Sequence, residues 1–268
     1  MSEVVLRQYE KEPRKFLWKI ITALICVFFV VLSSSTVNLE GISENGIQIA
    51  KNIFLGIFNP DIELLFDFVD GVPYLLLETM CIAFLGTLVG AILAIPISFI
   101  SATNIVPKPI SVIGRFIIMS IRTVPSIVYA LMFIRVTGPG AFAGLLTMSL
   151  SSIGMISKMY IESIEDLDIK ILESLDACGC NFFQKIRYGI LPQLFPDFIS
   201  TVIYRFDMNL RDASILGIVG AGGIGAPLIF SMNAYRWSQV GSIIIGLMVL
   251  VLIIEFISTR IRVKLARG

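Results

Sequence analysis

The sequence predicts an all-α, polytopic membrane protein of about six transmembrane helices. Three observations carry that expectation. The first is composition: 56% of the 268 residues are hydrophobic and the mean hydropathy is +0.88. Soluble domains hold about 45–50% apolar residues, even by a wider count that includes glycine. One packed core of this length cannot hide so much apolar surface, so the bilayer must act as solvent for much of it. The second is the length of the apolar runs, which reach the roughly 20 helical residues that a bilayer core requires. The third is the placing of charge. Basic residues gather at some ends of the runs and acids at others, and lysine and arginine mark the cytoplasmic side.

Residues 1–15 are polar and basic, with Arg7, Lys11, Arg14 and Lys15. The apolar run 20–32 follows, and with its flanks it is long enough to span. A basic start, an apolar middle and Ser33-Ser34-Ser35 also fit a cleaved signal peptide; the membrane-like remainder of the chain favours an anchor. Residues 36–72 set Glu40, Glu44, Asp61, Glu63, Asp67 and Asp70 against the single base Lys51. Such poverty in lysine and arginine marks an external loop. Within it, residues 47–58 read either as a helix lying in the interface or as a solvated loop. Residues 1–72 are thus an N-terminal anchor helix and an external acidic loop.

The core covers residues 73–257. A second span runs over 74–100, where Gly86 and Gly90 share a helix face that lets another backbone come close, and Pro96 can kink its end. Lys108 and Arg115 flank the next turn. A third span over 110–136 returns through Gly138-Pro139-Gly140 to a fourth over 141–156. A polar island then occupies 158–196 and reads as two short helices broken near Gly179. The fifth span covers 198–216, a glycine-rich stretch 217–225, and the sixth span 240–257. A basic tail, 258–268, holds Arg260, Arg262, Lys264 and Arg267. Six crossings put both termini and the island in the cytoplasm and the acidic loop outside.

Several function classes drop out. The chain has no histidine, which removes Ser/His and Cys/His catalysis and histidine metal sites. Of its cysteines, Cys26 and Cys81 lie in apolar runs, and Cys178-x-Cys180 is too tight for the usual zinc pair. No catalytic residue, metal or cofactor is expected. A net charge of +1 argues for neither nucleic-acid binding nor an acidic tail. No Gly-x-x-x-x-Gly-Lys-Ser/Thr loop occurs, so ATP is not bound by that device.

Two features stand out within the spans. Gly220, Gly222, Gly223 and Gly225 formally fit a dinucleotide fingerprint, but that motif needs a preceding strand, and here a membrane helix precedes it. The stretch reads as a flexible external gate, a partner-docking loop or a tight turn. Arg122, Arg205, Asp207, Arg211 and Asp212 are charges at membrane depth. Each would cost at least ~2.5 kcal/mol in lipid, so they should face protein or water. Asp207 and Arg211, four apart, share a helix face and can pair. Arg122, Asp207 and Arg211 are candidates for the lining of a path, with helix-orienting pairs as the other reading.

The island carries Glu173, Ala177, Gly179, Leu191 and Pro192 at the spacing of the cytoplasmic EAA loop of ABC-importer permeases, with Ser174 and Leu175 replacing the two alanines. Residues 189–192, 204–211 and 216–225 further resemble the phosphonate-uptake permeases, and the likeness covers roughly 75–225. The resemblance implies a type I ABC-importer fold and a bacterial inner-membrane location. It implies a second permease copy, two ABC ATPase subunits that hydrolyse ATP in place of this chain, and an external substrate-binding protein. It makes the loop 173–192 the ATPase-coupling segment; Phe182 and Phe183 there are aromatic anchors of the kind that suits a protein joint, and by topology the glycines lie at the outer face, where a gate is expected. The expected cargo is a phosphonate or related phosphorus oxyanion. The same scaffold imports methionine or quaternary amines in other members, but the arginine-bearing fifth span weighs against those. An ATP-independent carrier or channel would need no such loop.

Overall fold

The computed structural model describes residues 16–36 and 46–266. The basic N-terminal residues, Glu40 and Glu44 of the acidic loop, and Arg267 lie outside them. The chain divides into two compact units, Met1–Lys51 and Asn52–Gly268. In the first lies α1 (Phe16–Thr36), with residues 18–35 predominantly apolar and exposed on every side. A helix that is apolar all round suits lipid. Helix α2 (Gly46–Phe58) begins in this unit and ends in the second.

The second unit holds α3 (Ile62–Phe66), α4 (Val72–Ser101), α5 (Lys108–Thr123), α6 (Ser126–Thr137) and α7 (Ala141–Glu165). The short α8 (Ile169–Ala177) and α9 (Phe182–Gln184) follow. A π-helical turn, Lys185–Ile190, then leads into α10 (Leu191–Ile218), α11 (Gly225–Asn233) and α12 (Trp237–Ala266). Among the described residues, α1, α4, α7 and α12 are long and apolar enough to cross a membrane, and α5 with α6 adds one broken span. Helix α10 has the length of a crossing, 28 residues, but its charges lower its hydropathy.

The structure departs from the sequence expectation in three places. The third span is not one helix: α5 and α6 meet at 83°. Pro125 lacks an N–H and forces the residue before it out of helical geometry; Val124 sits at φ −88°, ψ 123°. The Tyr129 hydroxyl donates to the Ile121 carbonyl at 3.0 Å and holds the bend. The fourth span runs on to Glu165. The basic tail is helical to Ala266, an extension of α12. Helices α2 and α3 pack on the start of α12. A Cβ on Gly56 would fall 2.2 Å from the Trp237 carbonyl oxygen, and Asp61 N donates to Ser238 O at 3.2 Å.

Helix α7 is the axis of this unit. Its small residues let neighbours approach, and the Gly86/Gly90 face of α4 lies directly on it. A Cβ on Gly86 would come within 2.4 Å of Met148 Cβ, and one on Gly90 within 2.5 Å of Ser152 Cβ. One buried cluster, toward the island, contains Phe99, Ile156, Tyr160, Ile164, Ile190 and Phe198, with Tyr160 and Phe198 stacked at 4.1 Å. A second, toward the glycine stretch, contains Ile82, Ala130, Met148, Leu210 and Leu216. The outward faces stay apolar and open at Phe84, Ile92, Phe116, Leu252 and Phe256, as lipid requires.

Candidate functional site

The island folds into a knuckle at one end of the bundle. Asp168 caps α8 by accepting from Lys170 N at 3.0 Å. The helix closes through Cys178 N to Ser174 O at 3.1 Å and Cys180 N to Leu175 O at 3.0 Å. Gly179 holds φ +75° there, a left-handed cap that glycine adopts without a Cβ penalty. Asn181 opens the next helix: Gln184 N donates to its Oδ1 at 2.9 Å, and its own N donates to Gln184 Oε1 at 2.8 Å, a reciprocal capping box. Asp176 and Lys185 pair across the turn. Leu175 packs on Gly189, where a Cβ would meet its Cδ1 at 2.3 Å.

The tip is Phe182 and Phe183, edge to face at 5.4 Å; Phe183 is 78% exposed. Glu173, Ala177 and Gly179 are exposed beside them, while Leu191 and Pro192 form the base at the start of α10. The structure thus leaves Glu173, Ala177, Gly179, Phe182 and Phe183 on the exposed surface of the knuckle, with Leu191 and Pro192 behind them in the chain. The π-turn, which no spacing in the sequence announced, joins that surface to α10 as a continuous rod. Contacts at α7 fix the adjoining corner: Glu165 accepts from Thr103 N at 2.6 Å and pairs with Arg115, and Asn104 Nδ2 donates to Ile164 O at 2.7 Å.

Within the bundle, the polar groups form separate sets. Arg205 is 4% exposed. Its guanidinium donates to Ser151 Oγ at 2.8 Å, Ser152 Oγ at 3.2 Å and Met155 Sδ at 3.1 Å. Asn209 donates to Ser152 Oγ at 2.7 Å and Thr87 Oγ1 at 2.8 Å. This junction ties α10 to α7 and α4. Buried Asp207 forms the predicted pair with Arg211, whose guanidinium also lies 3.9 Å from Glu255 on α12. Asp207 Oδ1 and Asn209 Oδ1 are buried without a partner among the described residues. Arg122 joins neither set. It ends α5 and lines a cleft of about 200 Å³ with Arg115, Lys158, Glu162 and Glu165. Sequence reasoning did not assign Asn209, Thr87, Ser151 or Ser152 to the site. The available signal was the i, i+4 spacing of Arg205 and Asn209 opposite a serine pair.

The glycine stretch lies at the other end. Gly220, Gly222 and Gly223 hold φ of +94°, +80° and +74°, and Gly225 opens α11. The stretch is a packed turn. Gly140 N donates to Gly220 O at 2.9 Å and Ile224 N to Thr79 Oγ1 at 2.9 Å. A Cβ on Gly222 would lie 2.7 Å from Ala141 Cα, and one on Gly217 2.7 Å from Gly225 Cα.

The profile of the family described as "binding-protein-dependent transport system inner membrane component" matches residues 94–266. The chain belongs to that family. It is therefore a permease component of a bacterial transport system, set in the inner membrane by several apolar helices. The phosphite transport system permease protein PtxC of Stutzerimonas stutzeri is 30% identical over 188 residues, 70% of this chain and 68% of that one. The phosphate-import permease protein PhnE of Mycolicibacterium smegmatis is 33% identical over 189 residues, 70% of this chain but 36% of that protein. A chain of the MetNI methionine ABC transporter, solved in inward-facing form, matches with a TM-score of 0.64 at 19% identity, over 72% of this permease and 96% of that chain. That likeness bears on the fold, which is the ABC-importer permease fold. Family members work with a binding protein and an ATPase.

Proposed function

We propose that this permease imports a phosphorus oxyanion, such as a phosphonate, phosphite or phosphate, in an assembly of two permease copies, two ATPase subunits and an external binding protein. The knuckle is the observation that carries the coupling half of this reading. A rigidly capped, aromatic-tipped projection continues without a break into α10, so a push on Phe182 and Phe183 moves the helix that bears Arg205, Asp207 and Arg211. Aromatic anchors with a charged rim suit a protein joint. Glu173, Ala177 and Gly179 flank the joint, and Leu191 and Pro192 transmit its motion. Both termini and the knuckle face the cytoplasm, and ATP hydrolysis takes place in the partner.

The cargo half rests on relatives that handle phosphite and phosphate, and on cationic groups at membrane depth. Arginine matches the oxygens of such anions in bidentate fashion. Arg211 is half exposed although it is paired, so an anion would compete with Asp207 for it, and Arg122 is reached separately. The packed glycine turn acts as the outer gate, opening about Gly220, Gly222, Gly223 and Gly225 when α10 moves.

The deciding experiment is ATP-driven uptake by the reconstituted assembly with its binding protein, offering methylphosphonate, phosphite and phosphate. Saturable uptake of at least one supports the reading. Uptake of methionine or a quaternary amine, with all three phosphorus oxyanions excluded, overturns it. Arg122→Ala should slow uptake while the purified assembly keeps its composition.

A further inference from the structure

We infer that the cleft between α5 and α7 is an anion site in its own right, on the knuckle side of the bundle, and that Lys158 is held in reserve within it by Glu162. The inference rests on the transport reading above for its place in the path, but not for its existence.

The cleft measures about 200 Å³ and is walled by Ile118, Met119 and Ile161 between its charges. That is room for a small oxyanion with some of its water. Three cations and two carboxylates line it, leaving one positive charge in excess. The charges are arranged unequally. Arg115 pairs with Glu165, which also accepts from the Thr103 backbone; that carboxylate is anchored. Lys158 meets Glu162 at 3.1 Å as an i, i+4 pair with both side chains about half exposed; such a pair is weak. Arg122 has no ion pair among the described residues.

Arg122 is nonetheless positioned. Its stem lies against Gly154 of α7, where a Cβ would fall 2.8 Å from Arg122 Cγ. It also sits in the last turn of α5, where the helix dipole favours a cation. An unpaired guanidinium on a packed stem, beside a loosely held ammonium, with apolar walls that strengthen both, is what a dianion needs. An oxyanion entering the cleft would be bound by Arg122 and would draw Lys158 from Glu162. Arg115 stays paired with Glu165, so it adds no free charge to the site.

The test uses the permease purified from membranes with the subunits it carries, without nucleotide or binding protein. Equilibrium binding of radiolabelled orthophosphate is measured at constant ionic strength. Arg122→Gln should weaken binding about tenfold or more, the worth of a charge-assisted hydrogen bond. Glu162→Gln should tighten it by up to about fivefold, the worth of an exposed pair that no longer competes. Phosphate held by an ATPase subunit would respond to neither change. No saturable binding, or one affinity shared by wild type and both variants, overturns the inference. If orthophosphate binds with the expected pattern while no phosphorus oxyanion is imported, the transport reading falls and the cleft stands. Import with variant-independent binding does the reverse.

Discussion

At the scale of single residues, the fold depends on side chains that are missing. Gly86 and Gly90 share a face four residues apart, and that much is legible in the sequence. What they touch is not: Met148 and Ser152 come from α7, about 60 residues on. Gly90→Ala would put a methyl group into the space of Ser152 Cβ. Overpacking of this kind costs about 1–3 kcal/mol, so thermal unfolding of the purified permease should shift downward, and an unchanged midpoint would mean that the two helices separate freely. The charged residues divide in a similar way. The Asp207–Arg211 pair follows from i, i+4 spacing, because a helix sets that distance by itself. The junction of Arg205 and Asn209 with Ser151, Ser152 and Thr87 needs three helices to meet, and no local pattern encodes a meeting. Asn209→Leu should cost only about 1 kcal/mol, because Thr87 keeps its own bond to Ala83 O at 2.6 Å; the unfolding midpoint checks this.

At the scale of elements, the knuckle separates backbone effects from surface effects. A Cβ at Gly179 meets nothing within 4 Å, so the cost of alanine there is conformational, about 1–2 kcal/mol for a left-handed residue. Gly179→Ala should therefore retain most ATP-driven uptake. Gly179→Asp adds a charge on the face proposed above to meet the ATPase and should abolish uptake while the protein still reaches the membrane. Equal loss in both variants would assign the effect to the cap rather than to the joint. Lys185→Met removes the partly exposed pair with Asp176; a surface pair is worth under about 1 kcal/mol, so stability should hardly change. The break near Gly179 was readable because glycine is strong local punctuation. The 83° bend between α5 and α6 was less so, since an apolar run crossing Pro125 looks continuous to hydropathy alone. The π-turn at Lys185–Ile190 left no mark in the sequence.

At the scale of the whole molecule, orientation is the claim on which coupling depends, and a native thiol tests it. Cys178 is exposed beside Gly179. With Cys26, Cys81 and Cys180 replaced, a membrane-impermeant maleimide should label Cys178 in inside-out vesicles and leave it unlabelled in sealed cells. Labelling from outside would put the knuckle beyond reach of any cytoplasmic ATPase. Composition and run length sufficed to determine that the chain is a helical membrane protein, because lipid imposes one requirement on every residue at a given depth. Short-range punctuation likewise determined the capped loop, because caps and turns are satisfied within a few residues. Only the tertiary structure decided which polar groups share a cavity. It separated Arg122 from Asp207 and Arg211, gathered Arg122 with Lys158 and Glu162, and closed the glycine stretch into a packed turn. Those outcomes depend on the angle and separation at which distant helices pack, quantities that side-chain volumes set jointly across the bundle and that no single segment contains.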